Sequence, residues 1–401
     1  MLMTPYLADP VAGAIVLLTL PLVVELAILT VASRLPKRRR AIVASSESIQ
    51  LAVVIPAHDE EASIASCVES LRASAAGTST KIIAVAHNCS DRTAEQAARA
   101  GAEVIVYADP QARGKGSALA IGFEYATSQD MDATLVVDAD SSVSSNLIGI
   151  VREALANGAE AVQCRYELGS SSKRPSTRLT ALAFRGFNVV RPAGRDRLGL
   201  SAGIFGNGFA IRQALLTRSG YTSHSVVEDL EFHIQLVSAG TQVQFLPDAT
   251  VSSAAPSSKQ GDATQRSRWE GGRVQAAATW FLPLLKQLTR GRLRALEPLL
   301  DLTSLPIGYA AILLSIAACL PIEWLRLYAL FAVTVLGCHV LAAAWDGADF
   351  AGDMRILARV PGYILWKLCV LPSLLRSSRA EAAWVRTERE PTTQYVMSDT
   401  G

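Results

Sequence analysis

The stretch Thr134-Leu135-Val136-Val137-Asp138-Ala139-Asp140-Ser141 decides the fold class. Its first four residues are apolar or β-branched and read as a buried strand, and the abrupt change at Asp138 marks the strand's carboxyl end. Similar apolar segments lie upstream at residues 51–56, 81–86 and 102–107, with the fourth strand at 133–138. Between them, residues 60–75 place Ile64, Cys67, Val68 and Leu71 on one helical stripe, and Ser90 and Asp91 start a second helix that Gly101 ends. Strands alternating with helices predict a layered α/β domain with a mainly parallel sheet. In such a sheet ligands sit beyond the carboxyl ends of the strands, so the chemistry belongs in the loops there.

On a strand that continues past Asp138, side chains two apart point the same way, so Asp138 and Asp140 would face one another and repel unless a cation lies between them. Mg²⁺ or Mn²⁺, held by one or two carboxylates and by substrate phosphates, meets that need. A solvated acidic turn is the plain alternative. The first strand ends in Val54-Ile55-Pro56-Ala57-His58-Asp59-Glu60-Glu61 and the second in Ala84-Val85-Ala86-His87-Asn88-Cys89-Ser90-Asp91. Pro56, Asp59, Glu60 and Asp91 are therefore candidates to line a base and ribose pocket, although Asp59 and Asp91 serve equally well as helix caps. In Arg113-Gly114-Lys115-Gly116-Ser117 the glycines let backbone approach an anion, while Lys115 and a helix start favour negative charge. The spacing is not that of a P-loop. Val226-Val227-Glu228-Asp229-Leu230-Glu231-Phe232 sets acids in an apolar stretch, which is costly unless they are paired or used, and one of them suits a general base. In Gln265-Arg266-Ser267-Arg268-Trp269 two arginines can bind phosphate oxygens and the tryptophan can stack on a sugar; a basic interfacial turn is the alternative.

The flanks are of another character. Residues 11–31 form an apolar run with Glu25 as its one charge, long enough to cross a hydrocarbon core of roughly 30 Å at 1.5 Å per residue. Arg34, Lys37, Arg38, Arg39 and Arg40 follow it, which places the next domain in the cytosol and the N-terminus outside. A cleaved signal peptide would carry its charges before the run. Residues 302–345, broken at 321–326, have room for two further spans; residues 356–375, with Arg359, Lys367 and two prolines, read as an interfacial helix or a fourth span. The expected organisation is an anchor and basic stop (1–40), a cytosolic domain ending in an interfacial segment (41–300), a transmembrane hairpin (301–346) and an interfacial or spanning tail (347–401). A chain of 401 residues, half apolar and with net charge +2, has no clustered basic face and gives no reason to invoke nucleic acid. The six cysteines, Cys67, Cys89, Cys164, Cys319, Cys338 and Cys369, show no zinc spacing and read as reduced thiols.

In this order the strand-end acids, Gly-Lys turn, Asp-x-Asp, Glu-Asp and Gln-x-x-Arg-Trp, followed by apolar spans, resemble the membrane-bound family 2 glycosyltransferases of the cellulose synthase, hyaluronan synthase and ceramide glucosyltransferase type. The resemblance implies a GT-A nucleotide-sugar-binding fold with flanking transmembrane helices. It implies a metal on Asp138 and Asp140, Asp229 as catalytic base, and Arg268 and Trp269 near diphosphate and acceptor. Two departures stand out: Ala86 and His87 replace an acid that many members use to meet the base, and the C-terminal spans are few for a polysaccharide channel. The activity expected is inverting transfer from a nucleotide sugar, UDP-glucose or UDP-N-acetylglucosamine foremost, to a polysaccharide or lipid acceptor at the inner membrane. A membrane component that binds the nucleotide sugar without turning it over is the competing reading, against which stand the retained Asp138, Asp140 and Asp229. A dinucleotide oxidoreductase would need a Gly-x-Gly-x-x-Gly turn after the first strand, which is missing.

Overall fold

The structure is a computed structural model that describes residues 10–36, 49–112, 114–169, 175–221, 227–254, 259–360 and 362; of residues 175–176 and 259–270 it describes the backbone only. After the N-terminal helix α1 (Pro10–Ala32) come β1 (Leu51–Ala57), α2 (Ile64–Ser74), β2 (Thr80–His87), α3 (Thr93–Ala100), β3 (Glu103–Tyr107), α4 (Lys115–Ser128) and β4 (Ala133–Val136). The next part holds β5 (Ser141–Val143), α5 (Leu147–Ala156), β6 (Ala161–Leu168), α6 (Pro175–Arg185), a π-helical turn (Gly186–Val190) and α7 (Arg191–Leu198). Then follow β7 (Phe209–Arg212), α8 (Gln213–Ser219), α9 (Glu228–Ser238), β8 (Val243–Ser253) and the long α10 (Lys259–Thr289). The chain continues through α11 (Leu296–Thr303), α12 (Ile307–Cys319), α13 (Glu323–Trp345) and α14 (Phe350–Leu357).

One eight-stranded sheet runs in the order β3-β2-β1-β4-β7-β6-β8-β5. Its first four strands are parallel, as the alternation of apolar strand and amphipathic helix requires. The second half adds two reversed strands to a sheet that stays mainly parallel: β7 is antiparallel to both β4 and β6, and β5 to β8, while β6 and β8 run parallel. A parallel neighbour needs a long crossover, usually a helix, whereas β5 leaves β4 through a tight turn and lands on the far edge. Along β1, residues alternate between faces. Leu51, Val53 and Ile55 meet Ile64, Val68 and Leu71 of α2 and Leu147, Val151 and Leu155 of α5. Ala52 and Val54 meet Leu119 and Phe123 of α4 and Phe232 and Leu236 of α9. The sheet is thus covered by helices on both sides.

Two helices, α1 and α13, are each long and apolar enough to cross a membrane by length and composition; a third span is counted only if α12 and the segment Leu293–Thr303, bent by 73°, act together. The expected first arm of the hairpin is therefore short. Its 13 residues cover only about 20 Å at 1.5 Å per residue, because Pro306 stands at the N-cap of α12 and separates it from α11. Leu22, Val23 and Leu26 of α1 pack with Leu314 of α12 and Leu325, Ala329 and Ala332 of α13 in one apolar cluster. Lys37 to Arg40, and most of residues 356–375, lie outside the described residues.

Candidate active site

β4 ends at Val136, two residues earlier than the apolar pattern suggests, and Asp138 to Asp140 form a turn into β5. The argument that Asp138 and Asp140 share a face of one strand is corrected accordingly: a turn, not a pleat, presents them. That turn is held from several sides. The Asp138 amide donates to Asn207 Oδ1 at 3.1 Å, its carbonyl accepts from the Ser141 amide at 3.0 Å and from the Cys67 thiol at 3.4 Å. Ser141 Oγ donates to Asp140 Oδ1 at 3.3 Å and accepts from Asn207 Nδ2 at 2.8 Å.

Three other segments converge on it. Lys115, first residue of α4, forms an ion pair with the Asp138 carboxylate and donates to the Gly206 carbonyl at 2.6 Å. Gly206 has φ +74°, and a Cβ at that position would stand 3.2 Å from Asp229 Oδ2 and 3.6 Å from Lys115 Nζ, so glycine suits the place where this loop passes between Asp229 and Lys115. Glu228 and Asp229 open α9, where the Leu230 amide donates to Asp229 Oδ1 at 2.8 Å. Burial pushes the Asp229 carboxyl up, with the Leu230 amide and the Lys115 ammonium pulling the other way. Burial, then the neighbouring Asp229, pushes Glu228 up to about 8. From β6, the Tyr166 hydroxyl bonds Ser253 Oγ at 3.2 Å, and burial, with the Asp138 charge adding to it, pushes the phenol up to about 12. Among the described side chains, four carboxylates therefore share this end of the sheet with the Lys115 ammonium, an arrangement that favours a cation and a raised-affinity proton acceptor.

The ends of β1 and β2 form the adjoining rim. Pro56 lies in β1 opposite Val85. Asp59, at φ 54°, accepts from the Ser90 amide at 2.6 Å and the Asp91 amide at 3.3 Å. Asp91 accepts from the Glu61 amide at 3.1 Å and the Thr93 amide at 2.9 Å, and the Glu60 amide donates to Thr93 Oγ1 at 2.7 Å. These acids clasp the two loops together, while the N-cap positions of α2 and α3 are Ser63 and Arg92. Cys89 joins Asp59 and Asp91 in a cluster whose ligand atoms lie within 4.8 Å of one another, but its carboxylates already serve backbone amides.

Residues 49–272, more than half the chain, match the profile of the glycosyltransferase like family 2. The chain belongs to that family. No curated protein matches it in sequence. Among solved structures it is similar to the mannosyltransferase from Pyrobaculum calidifontis in complex with GDP-Man and Mn²⁺, with TM-score 0.55 and 18% identity over 86% of this chain and 98% of that one. It overlaps more loosely with glucosyl-3-phosphoglycerate synthase from Mycobacterium tuberculosis in complex with Mn²⁺, UDP and glucosyl-3-phosphoglycerate, at TM-score 0.41, 19% identity, 61% of this chain and 85% of that one. The fold is the mixed α/β, GT-A-like fold of such transferases.

Within this family 2 domain the oxygen donors at the end of β4 fit a hard divalent cation: Asp138 already accepts a cationic side chain, and the set offers carboxylates rather than thiols or imidazoles. The structure brings Lys115, Asp138, Asp140, Glu228 and Asp229 together, and sets Pro56, Asp59, Glu60 and Asp91 on the neighbouring rim. Gln265, Arg266, Arg268 and Trp269 lie on the backbone of α10, their side chains outside the described part. Asn207 is the residue that sequence reading missed. Fully buried, it ties Asp138, Ser141 and Ser253 together while its carbonyl accepts from Gln163 Nε2 at 2.8 Å. The one signal for it was its place in Gly206-Asn207-Gly208, two glycines with φ of +74° and +69° before a strand.

Proposed function

We propose that this protein is an inverting, metal-dependent hexosyltransferase that moves a sugar from a nucleotide sugar, UDP-glucose or UDP-N-acetylglucosamine foremost, to a polysaccharide or lipid acceptor at the cytosolic face of the membrane. One observation carries the reading: Lys115, Asp138, Gly206 and Asp229, from four separate segments, meet at the C-terminal edge of the sheet. The acceptor hydroxyl attacks the anomeric carbon and gives its proton to Asp229; the new C–O bond forms as the bond to the diphosphate oxygen breaks on the opposite face, which inverts the centre. Burial, which raises the proton affinity of Asp229, suits it to that task. Lys115 offers its ammonium to the departing nucleoside diphosphate. Asp138 and Asp140 would hold Mg²⁺ or Mn²⁺, which supplies further stabilisation of diphosphate charge when bound. Arg268 and Trp269 are assigned to the diphosphate and acceptor by family resemblance.

The test is a panel of UDP- and GDP-sugars offered to the protein in membranes. Release of nucleoside diphosphate from one of them, abolished by EDTA and restored by Mn²⁺ or Mg²⁺, is expected; binding without release from every donor would instead identify a non-catalytic component, and full activity in excess EDTA would remove the metal from the mechanism. For the membrane arrangement, the carboxyl ends of α1 and α13 are pinned together by Arg34 and Asp346 at 2.8 Å, which supports both helices ending on the cytosolic side and Glu323 lying outside in a multi-pass inner-membrane protein. A cysteine probe at Glu323 should react with an impermeant reagent and one at Glu124 should not; the opposite pattern would reverse the orientation.

A further inference from the structure

An anchor that only tethers has no use for a carboxylate in mid-helix, and an ionisable group there is costly unless it is paired. Glu25 of α1 is 5% exposed and pairs with Arg191, and with Arg195 at 2.9 Å; Ser304 Oγ donates to its other oxygen at 3.1 Å. Both arginines belong to α7, inside the family 2 domain. From there the contacts branch. Arg191 meets Asp301 of α11 at 2.6 Å, and Arg195 meets Glu297 at 3.0 Å. Glu297 lies 3.9 Å from His233, which sits one helical turn after Asp229 on α9 and also bonds Ser201 Oγ at 2.9 Å. Asp301 lies 3.5 Å from Arg273, one turn beyond Trp269 on α10, and its carbonyl accepts from the same guanidinium. Three acids face three arginines in this layer.

The geometry tolerates little play. A Cβ at Gly194 of α7 would fall 2.3 Å from the Leu29 carbonyl of α1, so the two helices cross backbone to backbone. Turning α1 by one residue swings its side chains through about 100° and takes Glu25 away from both guanidiniums. A buried ionic layer of this kind adds little net stability, but it specifies one register among otherwise interchangeable apolar packings.

We propose that α1 is a working part of the catalytic domain and that Glu25 is a positioning residue, acting through the ionic layer to set α9, which carries Glu228 and Asp229, and α10, which carries the Gln-x-x-Arg-Trp segment. This rests on the reading in which Asp229 is the base. The ion pairs and hydrogen bonds given above for the layer involve no residue of the donor-side loops after β1 and β2, so donor binding and acceptor chemistry should respond differently to its loss.

The experiment compares full-length wild type, Glu25→Gln and Glu25→Asp in the same membranes. Turnover is normalised to the number of sites that bind nucleotide, so that a smaller folded fraction does not count as a slower enzyme. Glu25→Gln should lower kcat per binding site at least tenfold while leaving nucleotide Kd within about twofold, and Glu25→Asp should recover part of the rate. Amide exchange in the first turns of α9 should rise in Glu25→Gln while exchange in β1, β2 and β4 stays as in wild type. That readout needs no turnover, so an inactive wild type would end the transferase reading and still leave the positioning claim decided. Unchanged kcat per site together with unchanged exchange in α9 overturns it. If Glu25→Gln binds no nucleotide at all, Arg273→Gln, at a partly exposed position of the same layer, takes its place: a tenfold slower enzyme with normal nucleotide affinity supports the proposal, and wild-type turnover overturns it.

Discussion

The cleft at the end of β4 and the ionic layer beneath α1 hold similar numbers of charged groups and arrange them in opposite ways. In the layer, Glu25, Glu297 and Asp301 are matched by Arg191, Arg195 and Arg273, and nearly every group is within ion-pair reach of a partner. In the cleft, Asp138, Asp140, Glu228 and Asp229 lie near Lys115, which pairs with Asp138. Burial raises the proton affinity of the last two acids. A fold can carry a balanced layer for the sake of one geometry, since paired charges there cost little net stability. An unbalanced cluster at the mouth of a sheet is destabilising by itself, and such a cost is sustained where the charge is needed for work. Under the proposed function, the difference predicts that neutralising a charge in the cleft harms turnover while sparing stability, whereas neutralising one in the layer harms both.

The largest expected effect is at Asp229. Asp229→Asn keeps shape and size but cannot take the proton, so the chemical step should slow by roughly 10²-fold or more, with nucleotide affinity and melting temperature little changed. Single-turnover rates measure this, with Glu228→Gln as the neighbouring control that should cost far less. A fast Asp229→Asn enzyme would move the base to Glu228 or Glu231. Next is Asn207, an uncharged residue whose hydrogen bonds hold the Asp138 turn. Loss of such a supporting hydrogen bond typically costs about 10- to 100-fold in metal affinity, so Asn207→Ala should weaken Mn²⁺ binding by about tenfold in calorimetry. Wild-type affinity in that variant would show that the turn holds its shape without the clamp.

The smallest effect is a pH dependence at the cleft. Glu228 is raised from an ordinary 4.5 to about 8 in the fold. A carboxyl shifted upward binds its proton more tightly when folded, so its contribution to stability is complete below about 4.5 and is lost as pH rises through about 8. The melting temperature of metal-free protein should therefore decline across that window and level off above it, and Glu228→Gln should flatten the decline. An equally steep profile in the variant would place the titrating group elsewhere.

Much of the cleft was legible before any coordinates, and for a common reason. Lys115, Asp138 and Asp229 each interrupt an apolar or helical pattern at the point where a strand ends or a helix begins, and a charge out of pattern is visible in one dimension. The parallel half of the sheet was legible because its strands are separated by whole helices. The two reversed strands were not: β5 and β7 have only three and four residues, too few to carry a period. Asp59 and Asp91 looked equally like ligands and caps, and only the amides that reach them show how the loops are clasped.

Asn207 and the ionic layer mark the boundary more sharply. A buried asparagine in a glycine-flanked loop has the same local pattern as an exposed one, and what makes it a clamp is that Asp138, 69 positions away, donates to it. Glu25 could be seen as an anomaly in an apolar run, but its partners lie 166 and 170 positions along the chain. Local pattern reports on burial, period and the start or end of an element, because those follow from neighbours within a turn or a pleat. Pairing between distant charges depends on which helices the sheet brings face to face, and that is settled only when the chain has folded.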